Sequence, residues 1–409
     1  MTQHGSSKPS PDHLLSETHR PRISLRSPGE LADALPYLLG FQPDDSIVVV
    51  ALHGERGRFG GRLRIGIPTA PDEWPAVADQ LAACLKGNSV ARGAAPEGAL
   101  LFLCQDPADG ESGRAVTERL RPLAQRLRVA CGGLEMPVYE ALCISDKRYW
   151  SYCCPDAACC PAEGKPLSPP GTSAMAAAAA FAGIQVRGTQ KEMEARLKPL
   201  GEPFATPQEC ALDKAAAALM PRMLNTAGRD ALAGETLRLA RRLMERLHAA
   251  SAADGSVGQT AADAQDDALL SHEEAATLIL GLQDHRTRDQ AAEWMEGRDA
   301  ATALRLWRAL CRRCVGAYDE HAVATLSLAG WIAWSTGDEP AARVALGRAL
   351  QTDPDCVFAQ LMHRACNEGL DPEPLRRCMR QERAVRRRKR RRRTRGTRRT
   401  VPRAPYGGG

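Results

Sequence analysis

Ser27-Pro28-Gly29-Glu30 opens the first ordered stretch, with serine, proline and glutamate at the cap, first helical position and capping-box partner of a helix. Leu31, Ala34, Leu35, Leu38 and Leu39 share one side of that helix. Pro36 is expected to bend it and Gly40 to end it. Asp44-Asp45 then turn the chain into Ile47-Val48-Val49-Val50-Ala51-Leu52, an unbroken apolar run of the kind buried strands carry. Arg62-Leu63-Arg64-Ile65-Gly66-Ile67 alternates polar and apolar, a half-exposed strand that can pair with the first across Gly54 and Gly57. A helix over about 72–86, a strand at 99–103, a helix over about 112–130 and a strand near 136–144 continue the alternation. Residues 22–152 therefore read as an α/β sheet domain of four or five strands, with the split between parallel and antiparallel pairing left open.

Beyond a Cys/Pro-rich connector at 153–171 the apolar period becomes helical and stays so. Residues 172–251 and 268–382 form an all-α region, and 252–267, rich in Gly, Ser and Asp, read as a flexible linker between them. Gly330, Gly337, Ala342, Ala349 and Pro354 stand at the offsets where tetratricopeptide repeats place small residues and a terminating proline. One such helical hairpin is expected, with 355–380 as a weaker second and a helix at 299–315 in front. Residues 1–21 are polar and proline-rich, a disordered arm.

Length and charge refine this picture. At 409 residues and 44% hydrophobic composition the chain has two or three packed units rather than a disordered or fibrous character. The apolar run at 174–183 falls well short of the roughly 20 residues of a spanning helix, so no membrane span is expected. The net charge is +6, yet 13 cations and no acid lie between Arg383 and Arg403. Taking those 13 from +6 leaves −7, so the body is mildly acidic and one end carries the positive field. Arginine far outnumbers lysine, as codon drift in a GC-rich genome favours. The first twenty residues offer no apolar stretch for a secretion signal, so the 14 cysteines read as mostly free thiols in a reducing cytoplasm.

Leu35-Pro36-Tyr37-Leu38-Leu39-Gly40-Phe41-Gln42-Pro43 with Ser46-Ile47-Val48 resembles the opening of an uncharacterised actinobacterial family, domain of unknown function 4192. Arg148-Tyr149-Trp150-Ser151-Tyr152-Cys153-Cys154, leading to Cys159-Cys160-Pro161 and Gly164, is similar to a second block of it. Arg286-Thr287-Arg288-Asp289 and the stretch from Trp334 through Gly337-Asp338 to Asp353-Pro354-Asp355 are similar to two more. The resemblance runs over roughly 22–378. It implies a cytoplasmic protein and no particular activity, and the basic end lies outside it.

Three segments carry candidate chemistry. Cys153, Cys154, Cys159 and Cys160 put four thiols within eight residues, stiffened by Pro155 and Pro161. Thiolates so close can ligate Zn²⁺ or form a redox pair, although adjacent cysteines point apart in an extended chain and ordinary zinc sites use two-residue spacers. Buried structural thiols are the competing reading. Arg286, Arg288 and Asp289 open a helix, where two guanidiniums beside a carboxylate suit an anion or an interface; an ordinary salt-bridged helix start is the plainer reading. Arg386, Arg387, Arg388, Lys389, Arg390, Arg391, Arg392 and Arg393, followed by Arg395, Arg398 and Arg399, form a cationic run that self-repulsion should keep extended. A polyanion backbone neutralises such a run through counterion release, so 383–409 read as a disordered tail for sequence-indifferent nucleic-acid contact. A solvated tail, or one tuned to anionic lipid, is the alternative.

Other motifs carry less. Cys311-Arg312-Arg313-Cys314 has CxxC spacing, but inside a helical pattern and without the preceding strand of a thioredoxin-like site. His272-Glu273 lacks the second histidine of a zincin helix, and His53 stands alone at the end of the first strand. Phosphate-loop, dinucleotide and nucleophile-elbow patterns are absent from the sequence. The leading function class is a non-catalytic binding or adaptor module, its helical region for a protein partner and its tail for nucleic acid. The competing class is an enzyme with a small-molecule site between the sheet edge, near Phe41 and Ser46, and the cysteine loop.

Overall fold

A computed structural model of the chain describes residues 25, 27–54, 57–156, 158–169, 171–251 and 258–398. The expected arm at 1–21 lies outside them. The chain divides into two compact units, Met1–Arg187 and Gly188–Gly409.

In the first unit Ser27 Oγ accepts from the Glu30 amide at 3.2 Å and starts α1 (Pro28–Leu39), which Gly40 closes at φ 83°. There follow β1 (Ser46–His53), β2 (Arg58–Gly66), α2 (Trp74–Ala91), β3 (Gly98–Cys104), α3 (Gly113–Gly133) and β4 (Val138–Ser145). The unit continues with β5 (Arg148–Ser151), β6 (Lys165–Pro166) and α4 (Ala174–Phe181). The strands form one six-stranded sheet, β2-β1-β3-β4-β5-β6, in which β3 and β4 are parallel and every other neighbouring pair is antiparallel. β1 and β2 pair as the turn glycines predict. The sheet exceeds the expected four or five strands because β5 and β6 are too short to show a hydrophobic period.

Side chains alternate across a strand, so an apolar run needs cover on both faces. Ile47, Val49, Ala51, Leu101, Leu103, Ala141 and Cys143 pack against Leu81 and Leu85 of α2 and Val116, Leu120, Leu123 and Leu127 of α3. That stripe on α3 repeats every three to four residues, the period that keeps one helix face on the sheet. Val48, Val50, Phe102 and Leu142, on the opposite face, are buried as well, as are Ala34 and Leu35 of α1, which touches β4, β5 and α4.

The described elements of the second unit are helical: α5 (Gln190–Ala195), α6 (Ala205–Met223), α7 (Thr226–Ser251), α8 (Gln259–Ala268), α9 (His272–Gly281), α10 (His285–Ala291) and α11 (Gly297–Arg312), then α12 (Ala322–Ser335), α13 (Glu339–Thr352), α14 (Val357–Asn367) and α15 (Glu373–Arg398), with a 3₁₀ turn at Gly316–His321 before α12. The α/β unit followed by an all-α unit is the fold class the sequence predicts. α12 and α13 form the expected hairpin. A Cβ on Gly330 would lie 2.5 Å from Leu346 Cγ, so the small residue sets the helix separation, and Gly337 turns the chain at φ 83°.

Two segments differ from expectation. Residues 252–257 of the expected linker lie outside the described residues, but 259–267 belong to α8. Asp263 and Asp267 of that helix meet Arg196 and Arg312, and Asp266 meets Arg305, so its acidic residues face guanidiniums rather than water. The basic run from 383 is helical through Arg398 rather than extended, and Arg399 with the rest of the C-terminus lies outside the described residues. Arginine is a strong helix former, and carboxylates at the base of α15 offset part of the self-repulsion. No helix among the described residues is long and apolar enough to cross a membrane.

Candidate functional site

The cysteine loop grows from a tight hairpin. Asp146 and Lys147 sit at φ 48° and 56°, the two-residue geometry that reverses β4 into β5, with Ser145 paired to Arg148. The loop leaves β5 after Ser151 and returns as β6, which pairs antiparallel with β5. Three donors on β5 hold the returning strand: Arg148 Nε to Glu163 O at 2.7 Å, Arg148 Nη2 to Gly164 O at 2.8 Å, and Trp150 Nε1 to Ala162 O at 3.0 Å. Gly164 has φ 71°, and a Cβ there would stand 2.4 Å from the Trp150 ring, so only glycine fits.

Inside this clamp the four cysteines part company. Tyr152 bonds α3 through its hydroxyl, donating to Thr117 O at 2.9 Å, and Cys153 packs against the sheet core, where burial pushes its thiol pKa up. Ser151 Oγ accepts from the amides of Cys153 and Cys154 at 3.1 and 3.0 Å while donating to Glu140 at 2.8 Å, and this fork turns Cys154 away from the core. The Cys160 amide then donates to Asp156 O at 2.7 Å, closing a helical turn. Within a turn adjacent side chains diverge by about 100° rather than the 180° of a strand, so Cys159 and Cys160 can face the same centre. The sulfurs of Cys154, Cys159 and Cys160 lie within 4.8 Å of one another. Sequence reasoning selected this segment but not the trio, because the fork and the turn are not visible in the spacing.

The Cys154 thiol is held below its ordinary value by the Asp156 amide pointing at its sulfur and by the neighbouring thiols of Cys160 and Cys159. Burial, and then the proximity of Cys154, push Cys160 up to about 12. One sulfur thus collects the donors around it, and the trio carries a polarised set of protons.

In the helical unit Arg286 and Asp289 are exposed on α10, and Arg288 turns inward. Its guanidinium lies 5.1 Å from the Phe358 ring centre on α14 and pairs with Asp289 at 3.2 Å, while its Nε is buried without an acceptor. Arg288, His285, His321, Val357, Phe358 and Leu361 line a groove of about 770 Å³ among α10, α12 and α14. His321 Nδ1 there is also buried without a partner, and Val357 and Leu361 remain largely exposed. Of the expected triad, Arg288 and Asp289 pair while Arg286 stands apart, exposed on α10, and Arg288 also lines a groove built by later helices.

At the base of α15 Arg376 meets Glu296 at 3.2 Å and Glu373 at 3.3 Å, Arg380 meets the same two carboxylates, and Arg386 meets Glu293. Arg387, Arg388, Lys389, Arg390, Arg391, Arg392, Arg393, Arg395 and Arg398 follow on the same helix. Arg386, read from the sequence as a nucleic-acid contact, is in part committed to anchoring the helix.

Cys311 and Cys314 are buried, and burial pushes Cys311 up to about 11 and Cys314 well up. The intervening Arg312 and Arg313 turn away from them. Arg312 forks Asp267 at 2.8 and 3.0 Å, and Arg313 reaches Gln208 at 2.8 Å and Leu270 O at 3.0 Å. At the sheet edge Gln105 donates to Asp45 at 3.1 Å, Arg119 to Gln105 at 2.9 Å and Arg64 to Ser46 at 2.9 Å, a chain of polar groups that bond one another. His53 packs against Gly60 of β2.

The architecture is that of a six-stranded mixed-sheet unit followed by an all-α unit. Within that class, the family model described as Domain of unknown function (DUF4192) matches residues 28–373, and the chain belongs to this family. No curated protein and no solved structure matches the chain. The basic end of α15 extends beyond the matched residues.

Proposed function

We propose that the protein is a non-catalytic binding module of the cytoplasm. The helical unit, packed as a tetratricopeptide-like stack around the α12–α13 hairpin, takes a segment of a protein partner in the α10/α12/α14 groove, and the basic end of α15 contacts nucleic acid. The observation that carries this reading is the groove. Val357, Phe358 and Leu361 offer apolar surface, and the acceptor-less Nε of Arg288 beside His285 and His321 calls for an incoming carboxylate. The matching partner segment pairs an aliphatic or aromatic side chain with an acidic group. The competing enzyme reading needs polar groups that converge on a cavity at the sheet edge; the side chains there hydrogen-bond each other.

For α15, anchoring through Glu293 and Glu296 leaves the later arginines to a polyanion, bound by counterion release. The test is crosslinking in cells from a photoreactive residue at Leu361. One partner should be captured, and its capture should be lost on Arg288→Ala with the fold unchanged by circular dichroism. Removing residues 387–409 should leave that capture intact and abolish retention on RNA or DNA at low salt. If full-length protein ignores nucleic acid at low salt, the α15 half of the reading fails; if the Leu361 crosslinks survive Arg288→Ala, the groove half fails.

A further inference from the structure

We propose that Cys154, Cys159 and Cys160 form a metal site that takes one Zn²⁺ through three thiolates, its fourth position completed by a ligand from outside the loop. The inference is independent of the groove and of α15. Tetrahedral zinc holds sulfur at about 2.3 Å, which places neighbouring sulfurs about 3.8 Å apart. The three Sγ atoms lie within 4.8 Å of one another, so each pair need close by no more than about 1 Å to hold an ion.

The frame is already built. Arg148 and Trp150 clamp the returning strand, Ser151 fixes the Cys153 and Cys154 amides, and the Asp156–Cys160 turn aims the adjacent pair at one centre. Cys153, kept against the core, is the fourth thiol of the segment and takes no part. Among the described residues no carboxylate or imidazole joins the trio. Three protein ligands are the count found where zinc keeps a position for an exchangeable group, whereas closed structural sites use four.

Entry of Zn²⁺ on three thiols displaces three protons and leaves the site with a net charge of −1. Affinity therefore rises with pH.

Full-length protein loaded with zinc and desalted, with Co²⁺ exchanged in as an optical probe, provides the test. One zinc per chain and sulfur-to-cobalt charge-transfer absorption are expected. Both should disappear in Cys154→Ser and Cys159→Ser and persist in Cys84→Ser, an exposed cysteine on α2. Losing an outer partner of a ligand weakens metal binding about 10–100-fold, so losing a ligand should cost at least that much. Circular dichroism of the metal-free variants confirms that each is folded. Zinc retained at wild-type affinity in both loop variants overturns the proposal. So does wild-type protein without stoichiometric zinc, whether its three thiols titrate freely or mass spectrometry finds two of them joined as a disulfide.

Discussion

Two cysteine clusters invite comparison, and their spacing points the wrong way. Cys311 and Cys314 have the two-residue interval of many metal and redox sites, with arginines between them that would favour thiolates. Both are sealed inside the helical unit, their pKa values raised by burial, and the arginines are drawn off by Asp267 and Gln208. Cys154, Cys159 and Cys160 have an unorthodox interval, yet their sulfurs meet near the surface, around a thiol whose pKa is lowered. The difference lies in what the backbone does. Cys311 lies in the last turn of α11 and Cys314 just past its end, both buried in the core; in the loop, a serine fork and a closed turn bend the chain around a common centre. Interval alone carries little chemistry until the secondary structure beneath it is known.

The contrast can be broken or sharpened by measurement. The largest effect is expected for Arg312→Ala. It leaves the half-buried Asp267, whose carboxyl desolvation already pushes up, without its guanidinium, and should cost about 3 kcal/mol in denaturant unfolding. A loss under about 1 kcal/mol would mean that the arginines beside the CxxC are not structural. Second, Cys311 has a folded value of about 11 against an ordinary 9.0, so the folded state holds its proton longer than the unfolded state does. That stabilisation is complete below about pH 9 and is lost as pH rises through about 11. At about 1.4 kcal/mol per unit it amounts to some 2–3 kcal/mol, and the stability of Cys311→Ala should fall less steeply over that window.

Third, Gly164→Ala forces a Cβ into the Trp150 ring at positive φ. It should destabilise the sheet unit by about 2 kcal/mol and loosen zinc binding together with the loop. Unchanged stability would show that the loop is not held by this clamp. The smallest effect is expected for Cys159→Ser without metal, within about 0.5 kcal/mol of wild type, because the residue is exposed. A core-sized loss there would put the loop thiols in the same structural role as Cys311.

Much of the fold was legible in residue pattern. Ile47 to Leu52 announced a strand buried on both faces, Ser27 and Gly40 bounded α1, and Gly330 and Gly337 marked the α12–α13 hairpin, because each of these signals is local. The unread parts depend on distant partners. Asp263, Asp266 and Asp267 look like a polar linker until Arg196, Arg305 and Arg312 supply guanidiniums from elsewhere in the unit; only their helical spacing hinted at a shared face. Repulsion among the terminal arginines argued for an extended chain, but Glu293 and Glu296 lie far back in sequence and anchor the helix that carries them. The candidate site was half visible. The cysteine segment stood out by composition, while the exclusion of Cys153 and the convergence of the other three depend on hydrogen bonds from Ser151 and Asp156. The α10/α12/α14 groove was invisible apart from Arg288, since helices separated by dozens of residues assemble it.

The Trp150 indole sits against Gly113 and Gly164, with its N–H on the stem of the cysteine loop. Of the six tryptophans only Trp74 shares its unit; Trp294, Trp307, Trp331 and Trp334 belong to the helical one. The loop therefore comes with its own fluorophore, one whose emission a heavy or paramagnetic ion nearby would quench. Loading of the thiol trio with Co²⁺ can be followed by light from the native chain, with no dye attached.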